Sequence, residues 1–239
     1  MRITVVGDFA DPLSYLASQR VAQIRSLGLL DIEWLAVEAD RLRPMTGAGL
    51  SEAAAERVSR LALPGEAAPR AGLRVPNSRA ATAAYAESFT EGVPDLMRVA
   101  LFDALWVRGQ NFADVDVLRS IVFGVLNPDR PVDSIERRLR ANRPVVPLGD
   151  ADLIATSRRL GFLVSSGRGP LSLAGSRRVE AMREFWQAHG GLPLPLVVAE
   201  DGVSADRTRG GEDALRWLAD RLPHGASEAA EPSAVPAGV

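Results

Sequence analysis

The chain of 239 residues contains no cysteine. That excludes disulfides, thiolate metal sites, iron–sulfur clusters and a cysteine nucleophile together. Histidine is nearly absent: His189 and His224 are the two in the sequence. A histidine-based metal centre or a Ser-His-Asp triad is therefore not expected. All 28 basic residues are arginine. The lack of lysine excludes Schiff-base and P-loop lysine chemistry, and with the many alanines it reads as a coding bias. The 28 bases nearly balance 30 acids, for a formal charge of -2, which argues against a general nucleic-acid or membrane-surface binder. No run of 18 apolar residues occurs, so no membrane span is expected. Met1 leads straight into a strand-like segment without an apolar signal region, which predicts a cytoplasmic protein.

What is present is the composition of a globular protein, 46% hydrophobic and 24% charged. Ile3 to Val6 are β-branched and apolar, as in a buried strand. Asp11-Pro12 suits a helix start, because proline lacks an N–H that would be unpaired there anyway. Tyr15, Leu16, Ala17, Val21, Ile24 and Leu27 recur at helical spacing, and Gly28 ends the helix. Ile32 to Val37 reads as a second strand, expected to lie parallel to the first. Glycine and proline punctuate residues 44 to 76. Helices follow at about Arg79 to Thr90, Pro94 to Arg108, from near Asp114, and Val132 to Ala141. In the second of these, Leu96, Val99, Ala100, Phe102, Asp103 and Trp106 give the amphipathic pattern. The last third offers a helix from Ser176 to Ala188, a strand at Leu194 to Val198, a hairpin-like turn at Asp201-Gly202 and a helix from Asp213 to Leu222. His224 to Val239 reads as a disordered tail.

This order, β-α-β, helical block, α, β, β, α, is that of an α/β thioredoxin-like core with an all-helical insertion. The predicted division assigns residues 1–45 and 176–222 to the core, 46–175 to the insertion and 223–239 to the tail. The segment Gly7-Asp8-Phe9-Ala10-Asp11-Pro12-Leu13-Ser14-Tyr15-Leu16-Ala17 resembles the DsbA-like superfamily. The likeness is nearest to its 2-hydroxychromene-2-carboxylate isomerase and kappa-class glutathione transferase branch. Asn77-Ser78 looks like the entry to the insertion, and Leu101 to Trp106 with Gly109-Gln110-Asn111 like its central helix and turn. Leu194-Pro195-Leu196-Val197-Val198 is similar to the cis-proline strand, and Gly211-Glu212-Asp213 to the start of the last helix.

Thiol oxidoreductases of this superfamily would carry cysteine at positions 11 and 14, where this chain has Asp11 and Ser14. Disulfide exchange needs a thiolate, so redox activity is not expected. The isomerase and transferase branch would place at position 11 a serine that donates to the thiolate of bound glutathione; an ionised Asp11 would instead raise the thiol's pKa. Three roles for Asp11 stay open: a helix N-cap, a general acid or base, or a contact to a cationic or hydroxylated ligand. Ser14 could donate to a ligand anion or bond its own helix. Tyr15 could offer its hydroxyl to a cleft or belong to the core.

The resemblance implies that the backbone of Leu194, before a cis Pro195, pairs with a thiol ligand like an added strand. It implies that Gly211-Glu212-Asp213 holds the ligand's γ-glutamyl end; Ala214 stands where a basic residue often follows. Plain capping is the other reading of that turn. Candidate catalytic residues are thus Asp11 and Ser14, and candidate ligand contacts are Tyr15, Asn77, Leu194, Pro195, Glu212 and Asp213. No metal ligands are expected; glutathione or another low-molecular-weight thiol is the cofactor the resemblance suggests. Two functions stand side by side: a non-redox isomerase- or transferase-type enzyme acting on a small organic substrate, or a catalytically silent binding or scaffold module. A homodimer follows from family analogy alone. The Ser165–Pro170 loop lacks a phosphate-binding spacing and reads as surface loop, and the arginines from Arg130 to Arg143 as a solvated face.

Overall fold

The computed structural model describes residues 2–129, 158, 161–165, 167–200 and 207–223. The predicted helix at Val132 to Ala141, the Asp201-Gly202 turn and the tail from His224 lie outside the described residues. A four-stranded sheet carries the fold, built from β1 (Arg2–Gly7), β2 (Asp31–Ala36), β5 (Leu196–Glu200) and β6 (Arg207–Gly210). The strand order is β2-β1-β5-β6. β1 and β2 run parallel through the crossover helix α1 (Pro12–Ser26), while β5 is antiparallel to β1 and β6 to β5. A short pair, β3 (Ala48–Gly49) and β4 (Arg74–Val75), frames helix α2 (Glu52–Leu61). The helical block follows as α3 (Arg79–Ser88), α4 (Pro94–Trp106) and α5 (Val115–Leu126). Two helices close the described chain, α6 (Leu173–Ala188) and α7 (Glu212–Ala219). No helix among the described residues is long and apolar enough to cross a membrane.

The local signals work as their chemistry requires. Asp11 caps α1, Pro12 occupies its first turn, and Gly28 follows its end at φ 65°, a conformation that glycine adopts without steric cost. α2 escaped the sequence reading because Gly and Pro on both sides masked a ten-residue helix; its Ser51 cap accepts from Ala54 N–H. In α4 the buried face matches the expected one only in part: Phe102 and Trp106 are buried as expected. Met97, Arg98, Leu101, Phe102, Leu105 and Trp106 point inward, whereas Leu96 and Val99 are exposed. A charged Arg98 on the inner face shifts the apparent apolar stripe by one position.

The edge strand β2 does not present a free ladder. Arg25 donates to Ile32 C=O, Tyr85 Oη donates to Trp34 C=O at 2.7 Å, and Ala36 N–H reaches Met182 Sδ at 3.3 Å. Side chains thus cover backbone groups that would otherwise template another strand.

Helix α1 is held from two sides by buried arginines. Arg20, 2% exposed, forms a two-pronged pair with Glu66 at 2.7 and 2.9 Å and donates to Leu61 C=O at 2.6 Å and Leu215 C=O at 2.7 Å. It therefore ties α1 to the end of α2 and to α7. Arg98 of α4, 1% exposed, donates to Ser18 C=O at 2.8 Å and to the Ser18 hydroxyl, and stacks 5.3 Å over the Trp34 ring. Burial pushes its guanidinium down to about 10, so it stays charged at neutral pH. On the opposite flank, Glu87 of α3 caps α6 from outside, accepting from Ser172 N–H at 2.6 Å and Ser172 Oγ at 3.0 Å, and pairs with Arg158.

The Arg20 fork yields a direct test. Arg20→Met leaves Glu66 buried without its cation and is expected to cost about 3–5 kcal/mol in urea unfolding. Arg20→Lys restores one charge but not the fork, and should recover only part of the loss. A loss of under about 1 kcal/mol for Arg20→Met would contradict this account of α1.

Candidate functional site

The site forms where β1 ends and α1 begins. Gly7 closes the strand beneath the Trp34 ring; a Cβ there would lie 2.4 Å from Trp34 Cζ2 and 3.1 Å from Ser14 Cβ. The following turn is built on Asp8, which is 3% exposed. Its Oδ1 accepts from Ala10 N–H at 2.8 Å and its Oδ2 from Ala39 N–H at 2.9 Å. Its C=O accepts from Asp11 N–H at 3.0 Å, and its own N–H donates to Ser14 Oγ at 3.2 Å. Asp11 then caps α1: its Oδ2 accepts from Ser14 N–H at 2.7 Å and from the Ser14 hydroxyl at 2.6 Å.

The Ser14 hydroxyl is fully buried, and its single proton points at Asp11. Of the two readings of Ser14, a donor to a ligand anion or a bond within its own helix, the geometry shows a bond within the helix start, to the Asp11 carboxylate. Asp11 is partly buried, and its carboxyl is pushed up to about 6. Burial is the main cause; the Ser14 bonds oppose it, and the nearby Asp8 charge adds to it. The helix N-terminus favours the anion, but desolvation outweighs it. Asp8 is raised as well, by burial, against the pull of the Ser78 hydroxyl, the Ala10 and Ala39 N–H groups and Arg43. Ser78 Oγ faces this carboxylate without closing a hydrogen bond. Sequence reading did not single out Asp8. Its signal was an acid set directly after an apolar strand and three residues before a helix cap.

A second layer holds the turn from above. Arg43 Nη1 donates to Ala10 C=O at 2.7 Å, and Arg43 Nε reaches Asp40 at 3.3 Å. Asn77 donates from Nδ2 to Arg43 C=O at 3.2 Å and from its N–H to Pro44 C=O at 3.3 Å. Asn77 is thus connected to the Asp11 turn through Arg43.

Pro195 approaches from the sheet. The Leu194–Pro195 peptide bond is cis. The antiparallel register ends with Val6 paired with Leu196, which brings the Leu194–Pro195 segment to the end of β1, where the Asp8–Asp11 turn begins. Among the described residues the Leu194 backbone N–H and C=O have no hydrogen-bond partner. Gly211 N–H donates to both Pro193 C=O at 3.0 Å and Pro195 C=O at 2.9 Å, which fastens the start of α7 beside this segment. Gly211 sits at φ 59° and ψ -130°, a backbone conformation suited to glycine.

The remaining candidates are engaged in other contacts. Tyr15 is 2% exposed and stacks on Trp106 with 6.0 Å between ring centroids. It belongs to an aromatic cluster with Phe9 and Phe102, which Trp106 Nε1 fastens by donating to Phe9 C=O at 3.0 Å. Burial pushes the Tyr15 hydroxyl up to about 12, with the Asp103 charge adding to it. Glu212 pairs with Arg57 at 2.7 Å and Arg216 at 3.2 Å, and the largely exposed Asp213 pairs with Arg216 at 2.9 Å. Both acids are therefore ion-paired at the surface. In the loop Ser165–Pro170, Arg168 N–H donates to Ser165 C=O and Gly169 N–H to Ser165 Oγ, so these donors are consumed internally. Asp11, Ser14, Leu194 and Pro195 line neither of two surface clefts. One, about 560 Å³, lies along α2 near Glu56 and Arg60; the other, about 380 Å³, lies between Arg2, Glu33, Tyr85 and Asp95. Among the described residues no group of three or more metal-ligating side chains occurs.

No family model matches the chain, and no curated protein matches its sequence. Solved structures do. A probable DsbA oxidoreductase from Streptomyces coelicolor superposes with a TM-score of 0.58 at 14% identity, covering 99% of this chain and 100% of the other. A 2-hydroxychromene-2-carboxylate isomerase gives 0.54 at 18% identity, covering 92% and 93%. A cytosolic disulfide reductase, DsbM from Pseudomonas aeruginosa, in a structure with GSH, gives 0.52 at 16%, covering 93% and 99%. This chain has a DsbA-like thioredoxin fold. At these identities the likeness speaks for the fold. The DsbA-like frame also explains why the β1–α1 turn, the Leu194–Pro195 segment and the start of α7 meet at one end of the sheet. Two of these neighbours are described as a disulfide reductase and an oxidoreductase; this chain has no thiol with which to exchange disulfides.

The raised Asp11 carboxyl has a measurable consequence. Between about pH 4 and pH 6 the folded protein keeps a proton that the unfolded chain, at an ordinary 3.8, has already released. Stability therefore falls as pH rises through that window. Asp11→Asn keeps a good N-cap and removes the titration. Urea midpoints of the variant are expected to decline less than wild type between pH 4 and pH 6. Parallel curves would show that Asp11 titrates normally.

Proposed function

We propose that this protein is a non-redox enzyme of the isomerase or transferase type, acting on a small organic substrate, with Asp11 as its general acid and base. The observation that carries this reading is one carboxyl at the head of α1, raised to about 6 and oriented by a 2.6 Å bond from Ser14. A group of that acidity exchanges protons readily at neutral pH. Ser14 acts as the positioning residue that fixes the reactive face of Asp11. The 2-hydroxychromene-2-carboxylate isomerase neighbour supports the reaction class.

A thiol cofactor such as glutathione belongs to the same reading. The Leu194 backbone, which has no hydrogen-bond partner among the described residues, supports it, since an extended cysteinyl backbone could add there as a strand. The neighbour solved with GSH supports it further. With Asp11 beside it, a bound thiol would be held neutral rather than as thiolate. It would serve to orient the substrate, and proton transfer would fall to Asp11. The second reading, a catalytically silent binding module, draws on a different observation: Asp11 also satisfies the α1 cap.

Turnover of 2-hydroxychromene-2-carboxylate, with and without glutathione, separates the two. An enzyme using Asp11 as base shows a rate that rises through pH about 6 and then levels. Asp11→Asn should lower kcat/KM by about 10²–10⁴, and Ser14→Ala by less. Glutathione binding without turnover of this substrate or related aromatic acids would favour the binding module.

A further inference from the structure

Buried polar groups without a partner among the described residues collect at the start of α3. Ser78, 1% exposed, directly precedes the helix, yet its hydroxyl makes no capping bond and no other. Thr82, 2% exposed, lies one turn on, with its N–H on Ser78 C=O at 2.8 Å, and its Oγ1 is unpartnered too. Residues four apart are neighbours on one helix face, so the two hydroxyls share a side of α3. The N–H groups of Ala80 and Ala81, both 0% exposed, have no acceptor among the described residues. Asn77 directs Nδ2 to Arg43 C=O at 3.2 Å, which leaves its buried Oδ1 unused. In folded proteins such groups are satisfied by the protein or by an ordered water.

We infer that the start of α3 is a binding site for an internal water, held between Asn77, Ser78, Thr82 and the first N–H groups of the helix. The chemistry of the cluster selects this ligand. The N–H groups and hydroxyls call for an acceptor, whereas Asn77 Oδ1 calls for a donor. A cation would face the N–H groups of a helix N-terminus, which disfavours it. An anion would face Asn77 Oδ1 and bring an unpaired charge among buried groups; Arg79, the cation of this turn, is exposed. A water both donates and accepts, and it is retained where about two to four polar groups surround it. Its consequence is mechanical. Arg43 holds Ala10 C=O, and Asn77 holds Arg43 C=O. The water carries that chain of hydrogen bonds on into α3, and so joins the helical block to the turn that displays Asp11. The inference does not depend on the reaction proposed for Asp11.

Thr82→Val provides the test, because valine keeps the shape of threonine and has a similar helix propensity. A buried hydroxyl without a partner is a burden, so its removal from a dry site leaves the urea midpoint unchanged or raises it. Removal of a hydroxyl that holds a water lowers it. The expected result is a folding equilibrium constant about fivefold lower for Thr82→Val, with a similar loss for Ser78→Ala. The double variant should lose less than the two combined, since one water serves both hydroxyls. An unchanged or raised midpoint for Thr82→Val overturns the inference, and so does full additivity. A high-resolution crystal structure of the native chain gives a readout that needs no variant. It should show a water within hydrogen-bond distance of Ser78 Oγ and Thr82 Oγ1. A bound ion in that place, or both hydroxyls bonded directly to protein groups, overturns the inference.

Discussion

The structure at the head of α1 depends on one buried carboxylate. Asp8 gathers the N–H groups of Ala10 and Ala39, and so joins the end of β1 to the loop that follows β2. That loop brings Arg43 down onto Ala10 C=O, and Asn77 fastens the loop in turn. The β1–α1 turn is therefore enclosed by hydrogen bonds on three sides, and Asp11 is displayed from a rigid frame. In this setting two electrostatic influences compete at Asp11. The helix terminus and the Ser14 bonds draw the proton off, while burial and the Asp8 charge keep it on. Burial prevails, which turns an ordinary capping residue into a carboxyl able to exchange a proton near neutral pH.

Rigidity around the site comes from arginine. Without lysine, the chain uses guanidinium forks for its buried cations. A fork satisfies several carbonyls at once, whereas an ammonium carries its charge at a single point. Arg20 joins α1 to Leu61, Glu66 and Leu215, and Arg98 joins it to α4. A catalytic group is effective only when its supporting shell does not move. Asp11 stands at the N-terminus of the helix these two side chains immobilise.

Much of the fold was legible in the sequence because its signals are local. The apolar run before Gly7, Pro12 in the first turn of α1, Gly28 after its end and the Asp114 cap of α5 each mark a boundary through short-range chemistry. Helix α2 was not legible, since the contacts that hold it are non-local: Arg20 of α1 reaches its Leu61 C=O, and its own Arg57 reaches Glu212 of α7. The face of α4 was misjudged for a similar reason: burial of Arg98 depends on Ser18 and Trp34, both far away in the sequence. At the site, Asp11 and Ser14 stood out through their positions in a known pattern. Their mutual bond, which redirects the Ser14 proton, follows from side-chain geometry that spacing does not reveal. Asp8 was hidden because its partner Ala39 lies in the loop after β2, far away in the sequence. Glu212 and Asp213, read either as ligand contacts or as plain first-turn acids, form ion pairs with Arg57 and Arg216, which spacing does not reveal.

The central claim is that Asp11 is a proton-exchanging carboxyl and more than a helix cap. The most direct measurement is its own titration in the native protein, followed by ¹³C NMR of the side-chain carboxyl carbon. The account predicts a midpoint near 6, well above the ordinary 3.8. A midpoint at or below 4 would mean that the helix terminus and Ser14 dominate, and Asp11 would then be a structural cap without acid/base chemistry.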